Sequence, residues 1–177
     1  GQSLAAAALL LAAELPLEAE GVRLGMDPLG ALAARTLQTS LPAAFSQAAA
    51  LVRRLSTELP GARALGIDTT PYHLAGASPQ QELGIAAAAL VDMLRVLEAE
   101  GLSPEAVASS LEWSLPMGRD VFLNVARLRA LRVLHAAVLS ACGVRGIPAQ
   151  LHAASSPATL TARDPWVNLL RVTTHGY

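Results

Sequence analysis

The chain has 177 residues, which is long enough to bury a sizeable core and by length alone predicts one domain. Hydrophobic residues make up 53% of it and charged residues 15%, against the ~25% charged residues usual in soluble domains. So little charge predicts that helices or neighbouring protein cover much of the surface. The net charge of −1 gives no support to a nucleic-acid-binding surface or a polybasic membrane patch.

The first sixty residues alternate between helical and extended patterns. Residues 4–14 are rich in Ala and Leu and predict a helix; the apolar run is far shorter than the ~20 residues that span a bilayer and lacks the basic start of a signal peptide. Residues 22–26 predict a short strand, and residues 29–34 either a short helix or an extended segment. Pro42 is placed to open a helix that Pro60 and Gly61 end.

In the rest of the chain, a strand followed by one or more helices is predicted three times. Strands are predicted at residues 64–67, 111–115 and 149–153. Helices are predicted from Ser78 to Gly101, at Ser103–Glu105, from Asp120 to Gly143 and from Asp164 onward, with Ser or Asp at the start of each and Gly at the end of the two long ones.

Strands that alternate with helices indicate an α/β fold with a parallel sheet. The even spacing of the four strands favours part of a (β/α)8 TIM barrel over a doubly wound sheet. A whole barrel needs eight such units and about 250 residues. We therefore expect four βα units of a barrel, as a piece of a longer chain or a half that a second copy completes, because open parallel edges are unstable alone.

Candidate site residues follow the predicted strands, where barrel active sites lie. Tyr72 and His73 come directly after the strand at 64–67, where His could protonate or hydrogen-bond a carbonyl and Tyr could stack or donate its hydroxyl. His152 lies in the last strand and could reach the same end of the barrel if it points inward. The structural alternative for each is a hydrogen-bonded loop or core residue.

Other polar residues are given structural interpretations. His135 is expected on a helix surface, and Arg127, Arg129 and Arg132 on a solvated or interface face, with a clamp for phosphate or carboxylate as the alternative. The one cysteine, Cys142, is expected to be a small buried residue; it excludes an internal disulfide and favours a cytoplasmic location. No metal site and no phosphate-binding glycine loop is predicted.

Three segments resemble one family in the same order along the chain. They begin at Asp68 (DTTPYHLAGASPQQEL), at Asp120 (DVFLNVARLRALR) and at Leu160 (LTARDPWVNLLR), and they are similar to segments of methylmalonyl-CoA mutases. The resemblance implies a (β/α)8 barrel that binds an acyl-CoA through its centre and a separate domain that binds adenosylcobalamin. It also implies the radical isomerisation of methylmalonyl-CoA and succinyl-CoA, with Tyr72 beside the substrate and His73 on the thioester carbonyl.

The departures from the family pattern indicate a non-catalytic chain. Catalytic members have two further residues between the Tyr-His pair and the Gly-Ala, and usually Asn where this chain has Asp120. The family's His-x-Gln-Thr-Ser reads here as His152-Ala-Ala-Ser-Ser156, so Ala154 replaces the Gln. The Asp-x-His-x-x-Gly motif that binds cobalamin is absent from all 177 residues.

We therefore expect residues 1–177 to be the C-terminal half of an acyl-CoA mutase barrel, closest to the small subunit of the heterodimeric mutases. Such a chain would be inactive alone, would bind no cofactor, and would support a catalytic mutase subunit or pair with a second copy. One alternative is a fragment of an active mutase chain in which Tyr72 and His73, with His152, contact acyl-CoA. Another is a ligand-free helical interaction module.

Overall fold

A computed structural model describes residues 21–175, and the side chains of residues 21–173. Its sheet has four parallel strands that neighbour one another in chain order. They are β1 (Arg23–Met26), β2 (Arg63–Asp68), β3 (Leu111–Met117) and β4 (Leu151–Ser155). This confirms the α/β class and all four predicted strands. The helix predicted at residues 4–14 lies outside the described residues.

Seven α-helices and one 3-10 turn connect or follow the strands in the described part of the chain. They are α1 (Pro28–Ala33), α2 (Leu41–Glu58), α3 (Thr70–Leu74), α4 (Pro79–Ala99), α5 (Pro104–Ser109), α6 (Val121–Ala141), the turn Pro157–Thr159, and α7 (Pro165–His175). Residues 29–34, left open by the sequence, are therefore mostly helical.

The helices begin and end where nearby residues bond the backbone N–H groups left unpaired at a helix start, or where a glycine allows the chain to turn. Ser78 caps α4 in a capping box, in which the Ser78 hydroxyl accepts from Gln81 N and the Gln81 side chain accepts from Ser78 N. Asp120 caps α6 by accepting from Leu123 N at 3.0 Å. After α4, Gly101 has a φ of 85°, a left-handed conformation that side chains disfavour.

One face of the sheet packs against the long helices. Leu65, Leu111 and Trp113 lie on this face, since the register pairs Leu65 with Leu111 and Trp113 donates its indole N–H to His135 on α6. The buried core between sheet and helices also contains residues such as Phe45, Leu51, Leu90, Met93 and Leu131.

The other face of the sheet carries the alternate residues of each strand. Ser114 is in register with His152, and Pro116 with Ala154. His152 and Ala154 are exposed, and Glu112 on the same face is buried beneath Arg23, which donates to it at 2.6 Å. A parallel sheet with long helices on one face, and with the β4 residues of the other face exposed, is compatible with part of a (β/α)8 barrel.

His135 and Cys142 lie differently from the sequence prediction, and so does Arg127, which is buried on α6. His135 is 2% exposed, not on the surface, because it falls in phase with the buried residues Leu131 and Leu139 on α6. Cys142 is exposed, not buried, because it caps the C-terminus of α6 after the buried stripe has ended at Leu139. No helix in residues 21–175 is long and apolar enough to cross a membrane.

Candidate functional site

Tyr72 and His73 lie on the short helix α3, at the carboxyl edge of the sheet. The helix begins at Thr70, two residues after β2 ends, so the prediction that the pair follows a parallel strand is confirmed. The two side chains diverge. His73 contacts Ser156, which follows β4, whereas Tyr72 lies near Asp27, which follows β1. The structure therefore does not bring the two side chains together on one partner.

Both ring nitrogens of His73 have a partner. Nδ1 lies 2.9 Å from Glu82 Oε1, and Nε2 lies 2.7 Å from Ser156 Oγ. Glu82 also accepts from Arg127, so we assign the proton on Nδ1 to a bond donated to Glu82. In the neutral imidazole, Nε2 then accepts the hydroxyl proton of Ser156. The ring has no free nitrogen to offer to a ligand.

Glu82 is the centre of this network. Its Oε2 accepts from Arg127 Nη2 at 2.6 Å and from the Thr69 hydroxyl at 3.3 Å. The Glu82 and Arg127 side chains are 1% and 5% exposed, so the pair is removed from solvent. Arg127 Nη1 also donates to the carbonyl of Pro116 at 3.0 Å, while its Nε has no partner among the described residues. These bonds join β2, α4, β3, α6 and the end of β4.

Ser156, His73 and Glu82 have the residue types and the order of contacts of a Ser-His-acid catalytic triad. Ser156 is 0% exposed, however, so no carbonyl carbon can approach its Oγ. The Ser156 Oγ also accepts from Ala158 N at 3.2 Å and caps the 3-10 turn. The arrangement is therefore a buried structural network and not a nucleophile.

Tyr72 lies in a different and more acidic environment. Burial of its hydroxyl raises the pKa of Tyr72, and the Asp27 carboxylate raises it further. Burial also raises the pKa of Asp27, although Asp27 accepts from Gly30 N at 2.8 Å and from Asp68 N at 2.9 Å. These two bonds tie the start of α1 to the end of β2. Tyr72 therefore remains a phenol, a hydrogen-bond donor, at neutral pH.

A cavity of about 770 Å³ opens at the carboxyl ends of β1 and β2. Its charged lining residues are Asp27 and Asp68, and Arg, Lys and His are absent from the described residues that line it. Polar amide and hydroxyl groups from Thr36, Gln38 and Gln47 complete the lining together with α1 and α2. The cavity has the size of a small-molecule site but its charge disfavours an anionic ligand.

His152 is exposed on the face of the sheet opposite the long helices, beside Ser114 in the register. No hydrogen bond joins it to Tyr72 or His73 among the described residues. Its predicted role in substrate binding stays a prediction. Arg129 and Arg132 are exposed, as the sequence predicts. Arg127, which the sequence predicts on the same solvated or interface face, is buried.

Sequence reasoning missed Glu82 and Ser156 as members of the network. Glu82 lies in the first turn of α4, where an acidic residue suits the helix dipole, yet it falls in phase with Ala86, Ala89 and Met93, which are buried on the same helix. A charged residue at a buried helical position requires a buried partner, and that spacing is the signal that could have found it. No local signal distinguishes Ser156 from the neighbouring serine.

Comparison with known proteins identifies the family. The profile of the family described as "Methylmalonyl-CoA mutase" matches residues 5–177. The chain belongs to the methylmalonyl-CoA mutase family. It is 46% identical over 151 residues to "Methylmalonyl-CoA mutase small subunit" of Streptomyces virginiae, covering 85% of this chain and 24% of that protein.

Two proteins of Propionibacterium freudenreichii subsp. shermanii are also similar to this chain. Its "Methylmalonyl-CoA mutase small subunit" is 34% identical over 154 residues, 85% of this chain and 23% of that protein. Its "Methylmalonyl-CoA mutase large subunit" is 32% identical over 110 residues, 59% of this chain and 15% of that protein. The chain therefore spans about a quarter of the length of the small subunits that it matches.

The described residues do not fit the cobalamin that the family implies. His73 and His135 each have both ring nitrogens bonded, His135 to the Trp113 indole and to the Ile147 carbonyl. His152 lies within a strand and outside any Asp-x-His-x-x-Gly motif. The described residues also contain no group of three His, Cys, Asp or Glu side chains that could hold a metal ion.

Proposed function

We propose that this chain is part of the acyl-CoA mutase barrel of a small-subunit-type methylmalonyl-CoA mutase, and that it supports a catalytic subunit without catalysing the isomerisation itself. Residues 1–177 would form about half of the barrel, with no cobalamin-binding domain. The greater identity and coverage of the small-subunit relatives, compared with the large subunit, support this assignment. A cytoplasmic location is part of the same proposal.

The proposal rests on one observation, which is that both ring nitrogens of His73 already have hydrogen-bond partners. A histidine that binds a thioester carbonyl must offer one N–H to it, and both His73 nitrogens are used by Glu82 and Ser156. Releasing Nε2 would leave the fully buried Ser156 hydroxyl with one bond fewer. A buried polar group left unpaired costs about 1–3 kcal/mol. The network therefore opposes the contact that the resemblance assigns to catalytic chains.

The cavity beside α1 agrees with this conclusion. Methylmalonyl-CoA carries a carboxylate and the phosphates of CoA, and at the described lining it would meet the carboxyl groups of Asp27 and Asp68 without a cation to offset them. Burying such a ligand unpaired is costly. A working substrate site would need cations from another part of the barrel or from a partner chain.

The alternative is a fragment of an active chain in which Tyr72 and His73 contact acyl-CoA. The position of α3 at the carboxyl edge of the sheet favours it, because barrel substrates bind there. Under this alternative His73 gives up its hydrogen bond with Ser156 and bonds the ligand instead. The ligand-free helical module is not supported, because it does not require the parallel sheet.

The test follows the His73 imidazole by NMR in ¹⁵N-histidine-labelled protein. We expect its nitrogen shifts to stay those of a bonded Nδ1–H tautomer when methylmalonyl-CoA or succinyl-CoA is added. We also expect no succinyl-CoA from the chain with adenosylcobalamin and methylmalonyl-CoA. A ligand-dependent shift at Nε2, or turnover above the buffer control, contradicts the proposal and supports the active-chain alternative.

A further inference from the structure

The helix α6 has an outer surface that lacks the usual composition of a solvent-facing helix. Its inner face is fixed by the buried residues Asn124, Arg127, Leu131, His135 and Leu139. The opposite side, which we call the outer face of α6, comprises Phe122, Val125, Arg129, Arg132 and Val133, all of them exposed. Phe122 is 88% exposed and Val133 68%. Surface helices normally place charged and polar residues on this side.

Charge on the outer face has one sign. The helix Val121–Ala141 contains no Asp or Glu, whereas Arg129 and Arg132 are exposed at positions three apart. No ion pair involving either arginine occurs within residues 21–173. Aromatic residues and arginine are enriched at protein interfaces, and an arginine is satisfied most strongly by a carboxylate.

Completing the barrel would not cover this face. In a (β/α)8 barrel the helices form the outer ring, and further strands extend the sheet at its edge while their helices pack beside those already present. The outer face of α6 points away from the sheet, since the opposite side of the helix is buried against it. This step depends on the barrel assignment made under the proposed function.

A second copy of the chain is a poor occupant of the same face. In a two-fold dimer the same patch meets itself, so Arg129 and Arg132 of both copies would lie together. Like charges opposed across an interface disfavour the pairing. The favoured occupant is a different protein that presents an apolar depression bordered by Asp or Glu side chains.

We propose that the outer face of α6 docks a separate protein with an apolar depression bordered by Asp or Glu side chains. In a small-subunit-type mutase, this partner protein is the catalytic large subunit. Phe122 and Val133 supply the apolar contact, and Arg129 and Arg132 pair with carboxylates of the partner. The inference deepens the proposed function by locating the surface through which one subunit supports the other.

The test measures binding of the purified protein to the large mutase subunit of the same organism by isothermal titration calorimetry. The double variant Phe122→Ser/Val133→Ser is expected to weaken the Kd by about tenfold or more, as loss of an interface anchor does. The double variant Arg129→Glu/Arg132→Glu is expected to weaken it comparably and to reverse its dependence on salt, because added salt then screens a repulsion between carboxylates. Leu32→Ser, at a 51% exposed apolar residue on α1, is the matched control and is expected to change the Kd less than twofold.

Each other outcome has a distinct meaning. If the wild-type protein binds and the α6 variants bind equally well, the inference is overturned while the proposed function stands. If the wild-type protein shows no binding to the large subunit, the partner part of the proposed function and the docking inference are both wrong. If sedimentation shows self-association that the Phe122→Ser/Val133→Ser variant abolishes, the occupant is a second copy and the inference is wrong. Circular dichroism of each variant checks that it is folded.

Discussion

Replacing Glu82 with Gln removes the charge at the centre of the buried network while keeping the shape of the side chain. The Arg127 guanidinium then stays buried, with its Nη2 facing a neutral amide. Both side chains are almost fully removed from solvent, at 1% and 5% exposure, so water cannot compensate for the lost carboxylate. Breaking a buried ion pair by removing one partner costs about 3–5 kcal/mol.

That cost is a large fraction of the ~5–15 kcal/mol by which a domain is stable. Urea unfolding followed by circular dichroism measures it directly. The matched control is Glu58→Gln, because Glu58 pairs with Arg54 at 3.1 Å but both side chains are more than 40% exposed. An exposed i,i+4 pair contributes about 0.3–0.5 kcal/mol, so this variant is expected to unfold at nearly the wild-type urea concentration.

A double-mutant cycle separates the pair from its surroundings. Arg127→Met alone leaves Glu82 buried without its cation, whereas Glu82→Gln/Arg127→Met leaves neither charge uncompensated. We expect the double variant to be less destabilised than the sum of the single variants by about 0.5–3 kcal/mol. A loss below 1 kcal/mol for Glu82→Gln, equal to that of Glu58→Gln, would refute the view that this network holds the site together.

Two further predictions concern the histidines. Ser156→Ala removes the partner of His73 Nε2 and is expected to lower the free energy of unfolding by about 1–3 kcal/mol in a urea titration, whereas Ser56→Ala, at an exposed serine, changes it little. An equal effect of the two substitutions would show that the bond is unimportant. His135 must be neutral at Nδ1 to accept from the Trp113 indole, and burial lowers its pKa below the ordinary value of 6.5. The unfolded chain therefore binds the proton first, so stability is full above pH 6.5 and is lost as the pH falls toward the folded pKa, by at most about 1.4 kcal/mol per pH unit. The stability of His135→Gln is expected to lack this component between pH 7.5 and 5.5, and an unchanged slope would contradict the assignment.

Local signals in the sequence located most of the elements. Ser and Asp caps marked the starts of α4, α5 and α6, and apolar runs marked β2 and β3, so these elements were placed within a few residues. Cys142 is exposed because it lies beyond the buried stripe of α6. The error at His135 came from the phase of the helix. That phase is set by which side of the helix meets the sheet, and the weak amphipathicity of an Ala-rich and Leu-rich helix does not reveal it.

The sequence by itself determined the fold class, the family, and the place of Tyr72 and His73 after a parallel strand. Helix caps, strand patterns and family motifs depend only on residues that are close together in the chain. Only the tertiary structure decided which groups the two side chains contact. Glu82 meets Arg127 across 45 residues, and His73 meets Ser156 across 83. Whether the histidine nitrogens are free depends on how α4, α6 and the end of β4 pack together, and packing over such separations has no local signal in the chain.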